Sequence, residues 1–564
     1  MHSSRLTRWH RLGVTVATAA AIAMAAAGCS SSGSPGSSSQ SGSSGQSGAS
    51  GSNTVLNIAN VGGATWTCGF NPFNPAVNQE SFGFSYEPLI YMNTLKDAAQ
   101  TPMLATKAEW SSDYKTLTFT IRSGVTWSDG KPFSAADVAF TFNLLKKNPG
   151  LDINAIWSSG LQSVTQSGSD QVVFKFKSAA QPYLYYIGDQ TPIVPEHIWS
   201  TSAVGNPVNY ADPKPVGTGP YTVASCTPQN IQYKANPSYW TPGAPAVKTV
   251  NYPAYTDNSP ANQDLASGKA QWGGQFIPSI DKYYVARDPA NNHYWFPPTA
   301  NVSLAFNLKH PVTGNVAIRQ ALAYAVNRTT VAKVGEYGYE PASNQSGIVL
   351  PTFQSWYDTS LAQQYDYTQN QAKAKQLLAT AGYSASNPLK LTVLTVSGYT
   401  DWDASLQEIK QELAQVNVDL TVQDLAGQTY NTRIYKGDFD LAYIAETGGP
   451  APYYELRQLL LSSNSAPLGQ NASTNFMRFS DPSVDKLLTE YASASPTEQH
   501  TIVNQLQKVM LTQVPVIPMT ESVSWFQYST KDFSGWPTAS DPYALPAPYA
   551  VPDQEQVLLH LKTK

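Results

Sequence analysis

Residues 30–52 contain little besides serine and glycine, with a few Gln, Pro and Ala. Such a run has too little apolar surface to offset the entropy of ordering it, so it stays an extended, flexible tether. It divides the chain into a short leader and a patterned remainder, and all folding falls to the part after about residue 53. In the leader, Arg5, Arg8 and Arg11 precede an uncharged apolar stretch from Leu12 to Ala27, closed by Ala26-Ala27-Gly28-Cys29. Basic, apolar and small-residue segments in that order make a secretory signal peptide. The apolar stretch is Ala-rich and shorter than the roughly 20 residues a spanning helix needs. Residues 1–28 are expected to be a signal peptide, and 29–52 a modified Cys29 with its tether.

Charge narrows the partners. Charged residues make up 13% of the 564, well below the roughly 25% usual for soluble proteins. The formal net charge is -4, and removing residues 1–28 removes three arginines and no acid, leaving -4 - 3 = -7. No basic patch with interleaved aromatics is present, which argues against nucleic acid. Ala27-Gly28-Cys29 resembles the bacterial lipobox, whose cysteine is lipidated, although Ala26 stands where that motif usually has Leu. After that modification Cys68 and Cys226 remain, an even pair in an oxidising compartment, and a disulfide between them is expected.

The remainder alternates between two periodicities. Val55–Ile58, Leu117–Ile121, Val172–Phe176 and Ser303–Asn307 pattern as strands. Ser134 with Asp137 three residues later makes a capping box ahead of Val138, Thr141, Phe142 and Leu145 on one helix face. Leu391–Val396, the helix face Leu406, Ile409, Leu413 and Val416, and Val418–Val422 form a βαβ unit. The class is α/β in more than one lobe.

Motifs for common chemistries fail. Between Gly124 and Gly130 lie five residues where a phosphate loop has four, and Pro132 follows Lys131. The histidines after the leader, His197, His293, His310, His500 and His560, lack metal-ligand spacing. There is no Gly-x-Ser-x-Gly elbow. Neither metal nor cofactor is expected, and binding is favoured over catalysis.

Five segments carry a resemblance. They are Trp127-Ser128-Asp129-Gly130-Lys131-Pro132-Phe133-Ser134-Ala135-Ala136-Asp137-Val138; Val216-Gly217-Thr218-Gly219-Pro220-Tyr221; Asn236-Pro237-Ser238-Tyr239-Trp240; Phe306-Asn307-Leu308 through Ile318-Arg319-Gln320-Ala321-Leu322 to Asn327-Arg328; and Ala372-Lys373-Ala374-Lys375-Gln376-Leu377-Leu378 to Gly382-Tyr383. In this order they resemble the family 5 extracellular solute-binding proteins of bacterial ABC importers, the oligopeptide- and dipeptide-binding class. Locally, Trp127–Gly130 is expected to be a hairpin turn with an aromatic plug, Gly217 and Gly219 to supply backbone freedom, and Arg319 to be an ion-pair partner.

The resemblance implies a two-lobed periplasmic-binding-protein type II fold with an additional domain. Lobe I would combine 53–85, 210–302 and 526–564, the extra domain 86–209, and lobe II 303–525. Crossings are expected near Ser303–Phe306 and Pro518–Trp525. A monomer would capture its solute and deliver it to the permease and ATPase subunits of an importer, held at the outer face of the cell membrane by its lipid.

Ligand-binding candidates are the aromatics beside Gly and Pro, namely Trp272, Trp295 and Tyr453, with Tyr86, Trp66 and Trp402 after them. In many peptide-binding members a tryptophan is followed by an aspartate that holds the peptide's amino group. The matching positions here are Glu446 and Gly449, so Glu446 would have to supply the anion. The resemblance implies an oligopeptide. The aromatics suit a β-linked oligosaccharide such as a cello- or xylo-oligosaccharide, and both ligands stay open at this point. Mass spectrometry of the native protein is expected to show a lipidated Cys29 at the mature N-terminus; a soluble product with unmodified Cys29 would contradict this.

Overall fold

The computed structural model describes residues 54–63, 65–74, 81–96 and 98–564. The expected signal peptide, Cys29 and the tether lie outside them.

Three sheets organise the chain. A seven-stranded sheet runs, edge to edge, through Asn292–Tyr294, Gln527–Ser529, Trp272–Gly273, Val55–Ala59, Thr249–Pro253, Asn230–Ala235 and Tyr221–Thr227. A five-stranded sheet runs through Val418–Leu425, Leu389–Val396, Leu441–Ala445, Pro298–Phe306 and Val516–Val523. A four-stranded antiparallel sheet uses Ala105–Trp110, Thr116–Ile121, Gln171–Phe176 and Leu161–Ser167. Each carries the burial its sequence periodicity demands. In Thr116–Ile121 the buried residues Leu117, Phe119 and Ile121 alternate with half-buried threonines.

The βαβ unit is built as its pattern requires. Leu389–Val396 pairs in parallel with Val418–Leu425, and the intervening helix Thr400–Ala414 buries Leu406, Ile409 and Leu413 against them. The helix Ala135–Lys147 opens with the capping box, in which the Asp137 carboxylate accepts the Ser134 backbone N–H at 2.9 Å. That arrangement satisfies donors a helix start otherwise leaves open.

The chain passes between the two large sheets twice. Residues 295–297 lead from Asn292–Tyr294 into Pro298–Phe306, and residues 524–526 lead from Val516–Val523 into Gln527–Ser529. The first passage therefore precedes the expected Ser303–Phe306, which forms the inside of a strand paired on both sides. The apolar run there reflects two-sided burial within a sheet. The two passages hold each other: the Trp295 N–H donates to the Phe526 carbonyl at 3.0 Å, and the Ser524 N–H to the Pro297 carbonyl at 2.9 Å.

The motif residues act through packing. Trp127 is fully buried at a turn closed by hydrogen bonds between Trp127 and both Gly130 and Lys131. Arg319 differs from expectation: its guanidinium donates to the carbonyls of Thr313, Gly314, Gln513 and Val514 rather than to an acid. It thereby closes the C-terminal turn of the helix Pro496–Gln513. Gly217 and Gly219 differ as well, since neither has a positive φ. A Cβ on Gly217 would overlap the Ser85 carbonyl oxygen, and one on Gly219 the Phe84 carbonyl oxygen. Close backbone approach is the reason for both glycines. Cys68 and Cys226 form a disulfide with Cα atoms 5.8 Å apart, tying the loop after Val55–Ala59 to the strand Tyr221–Thr227. Gly217→Ala is expected to destabilise the protein by about 2 kcal/mol or more, because a buried backbone contact cannot relax cheaply. Urea denaturation checks this, and a variant within about 0.5 kcal/mol of wild type would contradict it.

Candidate functional site

A cavity of about 620 Å³ opens where the strand ends of the two large sheets face each other. Its residues come mostly from positions just past a strand. Asn60 follows Val55–Ala59, and Gly274, Gln275 and Phe276 follow Trp272–Gly273. Glu446, Thr447, Gly448 and Gly449 follow Leu441–Ala445. Ser524 and Trp525 belong to the second passage. The start of the helix Thr400–Ala414 adds Tyr399, Asp401 and Trp402, and the C-terminal region adds Tyr549 and Asp553. Thr94, Tyr185 and Gln190 complete the lining.

Small residues let the walls approach. A Cβ on Gly448 would overlap the Thr299 carbonyl oxygen, and one on Gly449 would come within 2.6 Å of the Tyr454 Cβ. Aromatic rings are held edge-on. Trp402 packs at 5.2 Å against both Tyr399 and Tyr443, with interplanar angles of 81° and 87°. Trp525 packs against Phe296 at 4.8 Å and Phe276 at 5.6 Å.

The charge on the cavity wall is one-sided. Among the described residues, Glu340, Asp401, Glu446 and Asp553 line it, and no Lys, Arg or His does. Glu340 accepts from the Thr520 hydroxyl at 2.6 Å and the Val523 N–H at 3.3 Å. Burial nevertheless pushes its carboxyl up to about 8. Burial pushes Asp401 and Asp553 up to about 6, Asp553 while accepting from the Tyr91 hydroxyl at 2.6 Å and the Leu545 N–H at 2.8 Å. Two further acids stand behind the wall. Glu336, bonded by the Ser405 hydroxyl at 3.0 Å, is raised by burial and then by Glu340 and Asp401. Glu455 is raised by burial and by its neighbour Glu446, and it accepts from the Asn301 amide at 2.5 Å. Burial also raises Glu446. Acids gathered in low dielectric hold protons that a cation entering the cavity would displace.

Of the sequence candidates, Glu446, Gly449 and Trp402 line this cavity. Trp272 does not: it is fully buried, donates from Nε1 to the Pro546 carbonyl at 2.8 Å and meets Trp536 edge-on at 5.8 Å. Its strand position turns it into the core of the first sheet, while the residues after it reach the cavity. Tyr453 is buried, stacked on Tyr491 at 4.1 Å. Tyr86 is buried and donates to Asp212 at 2.5 Å. Trp66 donates from Nε1 to the Tyr252 carbonyl at 2.8 Å. Trp295 lies in the first passage, packed on the first sheet's core. Glu340, Asp401, Asp553, Phe276, Tyr399 and Tyr549 are not singled out by the sequence, and Trp525 enters there only as the end of an expected crossing. Phe276 lies three residues past the strand Trp272–Gly273, and Trp525 lies two past Val516–Val523, inside the second passage. Among the described residues, no grouping of three or more His, Cys, Asp and Glu is placed to hold a metal ion.

The family model for bacterial extracellular solute-binding proteins, family 5 Middle, matches residues 99–467. The chain belongs to this family. A putative ABC transporter peptide-binding protein of Brucella ovis is 26% identical over 448 residues, covering 76% of this chain and 77% of the relative. The glutathione-binding protein of Salmonella typhimurium is 26% identical over 444 residues, covering 75% and 81%. Among solved structures, the mannohexaose-bound periplasmic oligopeptide-binding protein of Thermotoga maritima superposes with a TM-score of 0.83 at 25% identity, over 91% of this chain and 99% of that one. The fold is therefore the two-lobed α/β fold of the periplasmic binding proteins. Among the described residues no helix is long and apolar enough to cross a membrane.

The raised carboxyls set a pH dependence. A carboxyl whose folded pKa is raised contributes stability that is fully present below its unfolded value and is lost as pH rises through the folded one. For Glu340 that window runs from 4.5 to about 8. The ligand-free protein is expected to be more stable in urea at pH 5 than at pH 8, and Glu340→Gln to flatten that slope. Stability that rises from pH 5 to pH 8 would contradict it.

Proposed function

We propose that this family 5 protein is the receptor lipoprotein of an ABC importer, capturing an oligopeptide between its lobes and presenting it to the permease. Lobe I would be 53–85, 210–297 and 526–564 with the extra domain 86–209. Lobe II would begin with the strand at Pro298, not at residue 303, and end with the second passage. Cys29 would hold the protein at the outer face of the membrane, with residues 30–52 as its leash. A second lipid chain makes such anchoring stable where one alone is marginal.

The observation that carries the peptide reading is the cavity wall, which among the described residues bears four carboxyl groups and no cation. A peptide brings the ammonium that such a wall lacks, and Glu446 stands where the family's amino-binding segment falls. A ligand touching Glu446 on one lobe and Asp553 or Asn60 on the other favours the closed arrangement, because only there does it contact both. The relatives named for peptides and glutathione support the same class.

An oligosaccharide is the second reading. The Thermotoga maritima relative with bound mannohexaose favours it, as do the rings of Trp402, Trp525 and Phe276 on the cavity wall. Flat rings stack on sugar faces while carboxyl groups accept from hydroxyls. Calorimetric titration with a mixed short-peptide library and with cello-, xylo- and manno-oligosaccharides separates the two. Peptide binding weakened about tenfold or more by Glu446→Gln is the expected outcome. Inert peptides, with sugar binding lost in Trp402→Ala, would establish the second reading instead.

A further inference from the structure

Among the described residues, no chain segment runs directly from the four-stranded sheet to the five-stranded sheet. The two are nevertheless packed together. The helix Pro452–Leu460 follows the five-stranded sheet's Leu441–Ala445, and eight of its nine residues are buried. A helix lying on one sheet at a protein surface keeps a polar outer face. Here a second face is covered by residues 182–186, which follow the four-stranded sheet's Gln171–Phe176. Tyr453, Tyr454 and Leu456 of the helix share one apolar cluster with Leu117, Phe119 and Phe174 of the four-stranded sheet.

The bonds across this contact are of two opposed kinds. The Tyr454 hydroxyl donates to the Pro182 carbonyl at 3.1 Å, and at the rim the Gln499 side-chain amide donates to the Gln181 side-chain oxygen at 3.2 Å. Tyr183, Tyr185, Tyr186 and Tyr454 are all buried there, and burying phenol rings favours the shut contact. Arg457 opposes it. It is 3% exposed and donates to the hydroxyls of Tyr183 at 2.9 Å, Ser159 at 3.1 Å and Tyr186 at 3.5 Å. The acid whose charge it feels, Asp152, accepts instead from the backbone N–H groups of Ile156 and Trp157. A guanidinium held out of water with no carboxylate on it regains hydration when the contact parts. The contact is therefore tight and still able to open. Tyr185 lines the main cavity as well, so contact and cavity share a wall.

We propose that this contact is a latch that holds the two lobes shut in the absence of ligand. The inference rests on the lobe division proposed above, in which residues 86–209 move with lobe I and the helix Pro452–Leu460 with lobe II, and it adds a resting state. Every bond just described then crosses the cleft, and none involves a ligand atom. Without a latch, a ligand closes the lobes only through its own differential contacts, and its affinity is scaled down to the fraction of protein already closed. The latch removes that cost, because ligand entering during a brief opening meets an assembled site. Closure by itself then does not report a filled cleft, and a partner docking on the closed lobes would meet empty and loaded protein alike.

The test uses the full-length chain with Cys29→Ser, freed of carried-over ligand by dialysis from urea. Lys107 on the four-stranded sheet and Lys486 on the helix Pro482–Glu490 have side chains 61% and 75% exposed. With Lys107→Cys and Lys486→Cys spin-labelled, pulsed electron resonance reads one distance across the cleft, since the Cys68–Cys226 disulfide leaves no other thiol. The ligand-free protein is expected to give a single distance, the one the structure sets. Tyr183→Ala combined with Tyr454→Ala is expected to lengthen it by more than about 2 Å while urea unfolding stays cooperative. Tyr183→Ala alone takes the place of the pair should the pair not fold. A ligand-free distance already longer than the structure's, or split in two, would overturn the latch and leave the lobe division standing. A distance that no seam substitution changes would overturn the latch together with the division of lobes at this contact.

Discussion

The two backbone hydrogen bonds between the passages, Trp295 to Phe526 and Ser524 to Pro297, are the constraint from which the rest of the architecture follows. They hold the two strands of chain that join the large sheets side by side. On one side of them Pro298–Phe306 pairs with Val516–Val523, and on the other Asn292–Tyr294 pairs with Gln527–Ser529. The sheets are therefore tied together at the junction and face each other across it. Whatever follows a strand at that end must line the space between. Glu446, Phe276 and Trp525 occupy the cavity for this reason, although they come from distant parts of the chain.

Charge is handled in a way that suits so ion-poor a protein. Buried arginines such as Arg319 and Arg478 turn to backbone carbonyls instead of acids. Buried acids such as Glu340 and Asp553 turn to hydroxyls and backbone N–H groups. Around the cavity, burying acids with no cation beside them is costly for the folded chain alone, and the cost is met by protons held on carboxyls such as Glu340.

Much of this was legible in the residues. The capping box at Ser134 and Asp137, the βαβ unit from Leu389 to Leu425 and the closed turn around Trp127 all follow from local pattern, and local pattern determined them. Glu446 was reachable because a stretch of similarity pointed to it. Trp272, Tyr453 and Tyr86 were not separable from core residues by composition alone. A tryptophan on a strand beside glycine has the same neighbours in sequence whether it faces a ligand or a hydrophobic core, and strand phase decides. Glu340 and Asp401 were invisible for another reason. Their grouping with Glu446 and Asp553 is created by tertiary closure of a stretch that runs from Glu340 to Asp553. Gly217 was singled out for flexibility, but its role is set by a carbonyl from Ser85, a neighbour no sequence window contains.

The helix Pro452–Leu460 lies against residues 183–186 through a seam of phenol rings. Tyr454 meets Tyr185 at 5.0 Å and Tyr186 at 5.6 Å, and its hydroxyl donates to the Pro182 carbonyl at 3.1 Å. Rings this near couple their electronic transitions, and those transitions exist as a coupled set only while the seam is shut. Any parting of the helix from residues 183–186 would dissolve the coupling and wet the phenols at the same moment. The seam between this helix and residues 183–186 thus carries its own chromophore, readable in the near-ultraviolet dichroism without a label.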